Sequence, residues 1–235
     1  YDHIGHRDRV PGSGAVALAG SLLGRALKPE FINGFSYWDC WVDDARLVVA
    51  NAMQARRKGA EILTRTRLAQ AFPETNATWR AVIETEAGER QIAAKVLVNA
   101  AGPWAGRLFS DLRGINDMPP AAPRLKLIKG SHIVVPRIAG ADNAFILQND
   151  DGRIVFALPY EETFTLVGTT DIAYQGDPAA VRIDESEIFY LLAVLHRYFK
   201  DAPGRDDVVW SYSGVRPLFD DVGSDVKPAQ ALSRD

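Results

Sequence analysis

Cysteine is nearly absent from this sequence, and histidine and methionine are scarce. The single Cys40 in 235 residues excludes an internal disulfide, argues against a cysteine-rich zinc site and suits a reducing cytoplasm. Of four histidines, His3, His6 and His196 lack an acid or histidine partner at ligand spacing, so no metal is expected. No apolar run approaches the roughly 20 residues that span a bilayer, and the start lacks the charged and apolar regions of a signal peptide. Peripheral membrane contact stays open. An excess of one charge is missing too: 27 Lys and Arg against 30 Asp and Glu give a net −3, which argues against a nucleic-acid binder held by phosphate neutralisation. The chain opens at Tyr1 and its two methionines, Met53 and Met118, are internal, so it is expected to be an excised or processed piece with parts missing.

The context of a dinucleotide fingerprint is also lacking. Gly12-Ser13-Gly14-Ala15-Val16-Ala17 matches the G-x-G-x-x-A form, but the residues before it are charged and polar, and no second strand ending in an acid follows about 20 residues on. The expected structure there is a loop leading into a small-residue helix. The glycine-flanked Ser13 and Ser213 show no nucleophile elbow, which disfavours a serine hydrolase.

What the sequence does hold is a 47% hydrophobic composition, enough for one large core or two small ones. It is organised around residues 95–104, KVLVNAAGPW. Val96-Leu97-Val98 reads as a buried strand that empties into Asn99-Ala100-Ala101-Gly102, where bulk disappears and a flat or phosphorylated ligand can approach. Pro103 then presets a helix start; an ordinary strand-to-helix turn is the plain alternative.

Asp43-Asp44, the apolar face of residues 45–53 and Gly59 predict a capped helix. Residues 61–68, 78–86 and 90–99 read as a strand meander. Proline makes 113–124 a loop. Strands are expected again at 125–135, 144–148, 153–159, 164–168 and 207–216, with Asn149-Asp150-Asp151-Gly152 as a hairpin turn and an acidic tail at the end. One helix interrupts this antiparallel half, capped by Asp184 and Glu187 and carrying Ile188, Leu191, Leu192, Leu195 and Phe199 at helical spacing.

Three places offer chemistry. His132, in Lys129-Gly130-Ser131-His132, is a core histidine or a general base. Arg216, framed by Gly214 and Pro217, is a salt-bridge partner or an anion clamp. Gly168-Thr169-Thr170-Asp171 offers hydroxyls and an acid directly after a strand, or a simple turn.

Six blocks in one order decide among these readings: YWDCWVDDARLVVANA from Tyr37, VLVNAAGPW from Val96, KGSHIVVP from Lys129, ILQNDDGRIVFALPYE from Ile146, TLVGTTD from Thr165 and YSGVRPL from Tyr212. Together they resemble the bacterial FAD-dependent, aerobic glycerol-3-phosphate dehydrogenases. The resemblance implies an α+β and α/β flavoprotein of D-amino-acid-oxidase type, with a partial FAD-binding domain interleaved with a mainly antiparallel substrate-capping domain. Residues 1–41 and 60–112 would belong mainly to the FAD domain, 43–59 would be a helix at the junction, 113–210 would form the substrate domain, and 211–235 would return to the FAD domain and tail.

It further implies oxidation of sn-glycerol 3-phosphate to dihydroxyacetone phosphate, with electrons passed from FAD to membrane quinone. The enzyme would be cytoplasmic, peripheral on the inner face of the cytoplasmic membrane, and a homodimer is possible. By position His132 would be the proton acceptor, Arg216 and Arg234 the phosphate-binding arginines, and Tyr160 a further substrate contact. Asn99, Ala100, Ala101 and Gly102 would approach FAD, with Thr169, Thr170 and Asp171 in the flavin or substrate surroundings. The family's N-terminal glycine fingerprint, the basic segment near the flavin and the C-terminal part are absent, so this piece alone is expected to bind FAD weakly and turn over little. Two other readings are a related flavin oxidase of an amine or 2-hydroxy acid, and a non-catalytic interaction module that kept the fold.

Overall fold

The computed structural model describes residues 11–75, 77–111 and 125–219. In chain order the elements are β1 (Gly14–Ala17), β2 (Asn33–Ser36), α1 (Asp44–Arg57), β3 (Arg67–Pro73), β4 (Trp79–Thr85), β5 (Gly88–Ala94), α2 (Ala105–Asp111), β6 (Leu125–Pro136), β7 (Phe145–Gln148), β8 (Ile154–Tyr160), β9 (Phe164–Gly168), β10 (Ile172–Tyr174), α3 (Glu185–Tyr198) and β11 (Trp210–Phe219). They fall into two compact units, residues 11–37 with 125–219, and residues 38–111.

The larger unit is built on β6. It pairs antiparallel with β11 along one edge, and with β9 and then β10 along the other, while β8 and β7 extend the sheet to six strands. Side chains alternate across the sheet, and the two faces differ. Ile133, Val135, Leu147, Val155, Ala157 and Val167 point to one face and are buried beneath Ile188, Leu191, Leu192, Val194 and Leu195 of α3, with Phe199 just beyond it. Each Val, Leu, Ile or Phe side chain so withdrawn from water contributes about 2 kcal/mol. The other face carries His132, Phe156, Trp210 and Tyr212, of which the last three are exposed. β11 has one strand neighbour among the described residues, so its outer edge tolerates Pro217, which has no N–H to offer a partner.

The Asn149–Gly152 turn closes β7 on β8 as expected, with Gly152 at φ +78°, where a side chain would be strained. The start of α3 also follows the sequence. The Asp184 carboxylate accepts from the Glu187 amide, and the Glu187 carboxylate accepts in return from the Asp184 amide, both at 3.0 Å.

In the smaller unit α1 is capped by Asp43 and stopped by Gly59 at φ +97°, as its sequence predicts. None of its residues is buried, and Leu47, Val48, Val49 and Met53 are exposed. β3, β4 and β5 form a three-stranded meander centred on Ala71, Ala81, Val82 and Ile83.

Three expectations are corrected. Gly14–Ala17 is a strand paired with Asn33–Ser36, where a small-residue helix was expected; four short residues have no apolar stripe to hold a helix, and a partner strand supplies their hydrogen bonds. The first meander strand begins at Arg67 instead of residue 61. Val96-Leu97-Val98 is not a strand: β5 ends at Ala94, and Val96 and Val98 are exposed, because no neighbouring strand among the described residues continues the ladder there. The 113–124 loop and the acidic tail lie outside the described residues, except Phe219 and the residues before it, which continue β11.

Asp184 gives this unit a dependence on acid. Hydrogen bonds from the Ser186 hydroxyl and the Glu187 amide, with Lys129 adding its charge, hold the carboxyl at about 2 against an ordinary 3.8. A pKa lowered by folding means that the stabilisation is complete above about pH 4 and disappears as the pH falls towards about 2. Asp184→Ala is expected to lower the unfolding free energy by about 1 kcal/mol at pH 7. The difference from wild type should close across that acid window, as followed by urea unfolding.

Candidate active site

Strand parity gathers the candidate residues. His132 pairs in register with Tyr212 on one side and Gly168 on the other, so all three lie on the face turned away from α3. The imidazole is half-buried and stacks on Tyr212 with ring centroids 4.8 Å apart and planes 8° from parallel. It also fills the space above Gly168, where a Cβ would come within 2.6 Å of its Cγ and 2.7 Å of its Nε2.

Arg216 arrives from the adjacent strand, opposite Ile128. Its guanidinium reaches back over Gly130, where a Cβ would lie 3.3 Å from Nη2 and 2.5 Å from the Thr169 hydroxyl. Gly130 is the nearest residue to His132 on that face of β6, about 7 Å along the strand. The guanidinium and the imidazole are therefore neighbours over two positions kept bare. Arg216 is 35% exposed and pairs through Nη2 with the Asp171 carboxylate at 2.9 Å.

A bulge aims Asp171. Gly168 stands opposite His132 and Ile172 opposite Lys129, so three residues of one edge, 169–171, span two of β6. One extra residue reverses the alternation of side chains. Thr170 consequently turns into the layer beneath α3, fully buried, and accepts at its hydroxyl from the Ser131 amide at 2.9 Å. Asp171 turns the opposite way, to Arg216.

Of the other candidates, Thr169 donates its hydroxyl to the Thr170 carbonyl at 3.0 Å and lies against Gly130. Tyr160 is four residues along β8 from Phe156, the residue opposite Gly168, which is about 13 Å away; the structure does not bring it to His132. Asn99, Ala100, Ala101 and Gly102 belong to the smaller unit. The Asn99 side chain closes that turn by donating to the Ala105 carbonyl at 2.9 Å and accepting from the Ala101 amide at 3.3 Å. Gly102 adopts φ +55°, and a Cβ there would meet nothing within 4 Å. Arg234 lies outside the described residues.

Tyr212, Gly130 and the ion-paired role of Asp171 were not singled out from sequence, although two glycines in strands next to a histidine and an arginine signal a close approach. The surroundings suit a flat ring system. Tyr212, Trp210 and Phe156 offer exposed aromatic surface around the imidazole, and Gly214, exposed on the same face, adds no bulk.

A sequence profile of the FAD dependent oxidoreductases matches residues 9–230, and the chain belongs to that family, whose cofactor is FAD. The chain is similar to dehydrogenases whose names carry a phosphorylated polyol. The aerobic glycerol-3-phosphate dehydrogenase of Escherichia coli (strain K12) is 49% identical over 239 residues, covering 100% of this chain and 45% of that protein. The D-erythritol 1-phosphate dehydrogenase of Brucella abortus (strain 2308) is 44% identical over 225 residues, covering 94% of this chain and 43% of that protein. Among solved structures, the glycerol-3-phosphate dehydrogenase of Bacillus halodurans complexed with FAD superimposes with a TM-score of 0.72 at 30% identity, covering 84% of this chain and 40% of that one. The chain thus spans less than half the length of these relatives. The family resemblance carried by the six sequence blocks is borne out, and so is the flavoprotein fold with its antiparallel sheet.

The overlap at Gly168 can be tested directly. Gly168→Ala places a methyl group where the imidazole lies, so the His132–Tyr212 stacking should be lost in a crystal structure of the variant, while its unfolding midpoint moves far less than for a truncation in the α3 core. Crystallography beside thermal unfolding checks both.

Proposed function

We propose that the complete protein carrying this chain oxidises sn-glycerol 3-phosphate to dihydroxyacetone phosphate, with FAD as immediate acceptor and membrane quinone as the final one, at the cytoplasmic face of the membrane. The observation that carries the reading is an imidazole and a guanidinium on one sheet face, each lying over a glycine, Gly168 and Gly130. Whole-chain identity of 49% to an aerobic glycerol-3-phosphate dehydrogenase supports the choice of substrate.

When bound, FAD supplies a hydride acceptor for the carbon that bears the hydroxyl. Oxidation of an alcohol also requires its hydroxyl proton to leave. His132 takes that proton. Its Nδ1 is buried, which leaves Nε2 as the receiving atom, and the stacked Tyr212 ring holds the imidazole plane. Arg216 binds the phosphate: a guanidinium has five N–H donors, and Asp171 occupies only part of that fork. By resemblance Arg234 is the second phosphate ligand. Glycerol without its phosphate would leave the remaining guanidinium donors unsatisfied, and this is the source of discrimination. The small residues Asn99, Ala100, Ala101 and Gly102 would hold FAD by close backbone approach.

The complete purified protein should be yellow and should bleach on addition of glycerol 3-phosphate. His132→Ala should lower kcat by about a hundredfold to ten-thousandfold. Arg216→Ala should raise KM by roughly ten- to a hundredfold, the loss of charge-assisted hydrogen bonds to a dianion. Bleaching by glycine, sarcosine or 2-hydroxyglutarate in preference to glycerol 3-phosphate would instead make it an oxidase of amines or hydroxy acids, and a colourless protein would remove the enzymatic reading altogether.

A further inference from the structure

On the face opposite the imidazole, a charged cluster lies buried beneath α3. Glu187 is 1% exposed, Ser131 and Thr170 are 0%, and Lys129 is 7%. The carboxylate is fully engaged. Oε1 accepts from the Ser131 hydroxyl at 2.8 Å and the Thr170 hydroxyl at 2.7 Å; Oε2 accepts from the Asp184 amide at 3.0 Å and is ion-paired with Lys129 Nζ at 2.7 Å. Lys129 in turn donates to Asp184 at 3.2 Å and to the Arg182 carbonyl at 3.3 Å. Burial draws the lysine pKa down, but hydrogen bonds and charge from Glu187 and Asp184 outweigh it and hold the pKa above its ordinary value.

A helix cap alone requires much less. The capping contact uses Oε2, and a glutamate side chain at the first turn of a helix serves that purpose while exposed. Burying an ion pair costs desolvation that its own attraction only partly offsets, so such a pair is a poor source of stability. What Oε1 adds is a grip on the bulge. Thr170 is the inward-turned residue of that bulge, and its hydroxyl donates to Glu187 while accepting from the Ser131 amide, which fixes it to α3 and to β6 at once. The next residue, Asp171, points through to the other face and meets Arg216.

We propose that Glu187 is a positioning residue for the Arg216 clamp, acting from the far side of the sheet through Thr170 and Asp171. This rests on the reading of Arg216 as the phosphate ligand. Glu187 holds the bulge, the bulge aims Asp171, and Asp171 fixes the orientation in which the guanidinium meets the substrate.

The test uses the complete flavin-loaded protein. Thr170→Val keeps the shape and deletes the hydroxyl; Thr170→Ser restores it, and Asp171→Asn weakens the ion pair directly. Thr170→Val is expected to raise KM for glycerol 3-phosphate about tenfold with kcat changed less than about threefold, and Thr170→Ser should stay near wild type. Thr170→Val with Asp171→Asn should be no worse than Asp171→Asn alone, since both act on one contact. A KM unchanged in Thr170→Val, or effects that multiply in the double variant, would overturn the proposal even if the melting temperature falls. Crystal structures of wild type and Thr170→Val supply a readout independent of activity: loss of the Asp171–Arg216 contact in the variant supports the inference, and its retention refutes it. If glycerol 3-phosphate fails to bleach the wild-type flavin, the functional reading fails, while that contact still decides the positioning role.

Discussion

The register of β6 is the constraint on which the larger unit depends. Ile133 and Val135 enter the core beneath α3, while His132 and Gly130, of the opposite parity, face the candidate site. A slip of one residue would exchange the two sets, burying His132 and exposing Ile133 and Val135. Three things pin the alignment: hydrogen-bonded neighbours along both edges, the apolar contact with α3, and the Lys129–Glu187 ion pair, which exists only if the odd positions face inward. The ion pair is specific where the apolar contact is not. A hydrophobic residue tolerates many neighbours, but a buried carboxylate with four donors tolerates one arrangement.

The bulge at 169–171 departs from this alternation, and it joins the two faces. Without the extra residue, the side chains after Gly168 would keep their parity, and the acid that meets Arg216 would turn inward. Placing the bulge beside the site lets one edge supply both a void for the imidazole, at Gly168, and a counter-charge for the guanidinium, at Asp171. The same segment is tied down from beneath, so the geometry above the sheet inherits the rigidity of the core.

Much of this was legible because it is local. The capping pair of Asp184 and Glu187, the Asn149–Gly152 turn, and the ends of α1 at Asp43 and Gly59 are each written in adjacent residues whose chemistry has few alternatives. The strands from β6 to β9 were legible too, since apolar residues bounded by turns have few other uses. What failed was pairing at a distance. Gly14–Ala17 becomes a strand only because Asn33–Ser36 lies beside it, and Val96 to Val98 remains unpaired among the described residues despite its β-branched composition. The bulge is likewise invisible in a single sequence, being a relation between two registers. Glu187 shows the limit most clearly. Its capping role was readable from the three-residue spacing to Asp184, whereas its contacts with Ser131 and Thr170 join residues 56 and 17 positions away.

The exposed sheet face has an evolutionary consequence. Because Phe156 and Trp210 contribute little to the core, they can drift in size and polarity while the scaffold persists, whereas Tyr212, stacked on the imidazole, cannot. Gly168 and Gly130 do not share that freedom, so a lineage changing its chemistry would be expected to retain those two hollows for as long as it retains the imidazole and the guanidinium.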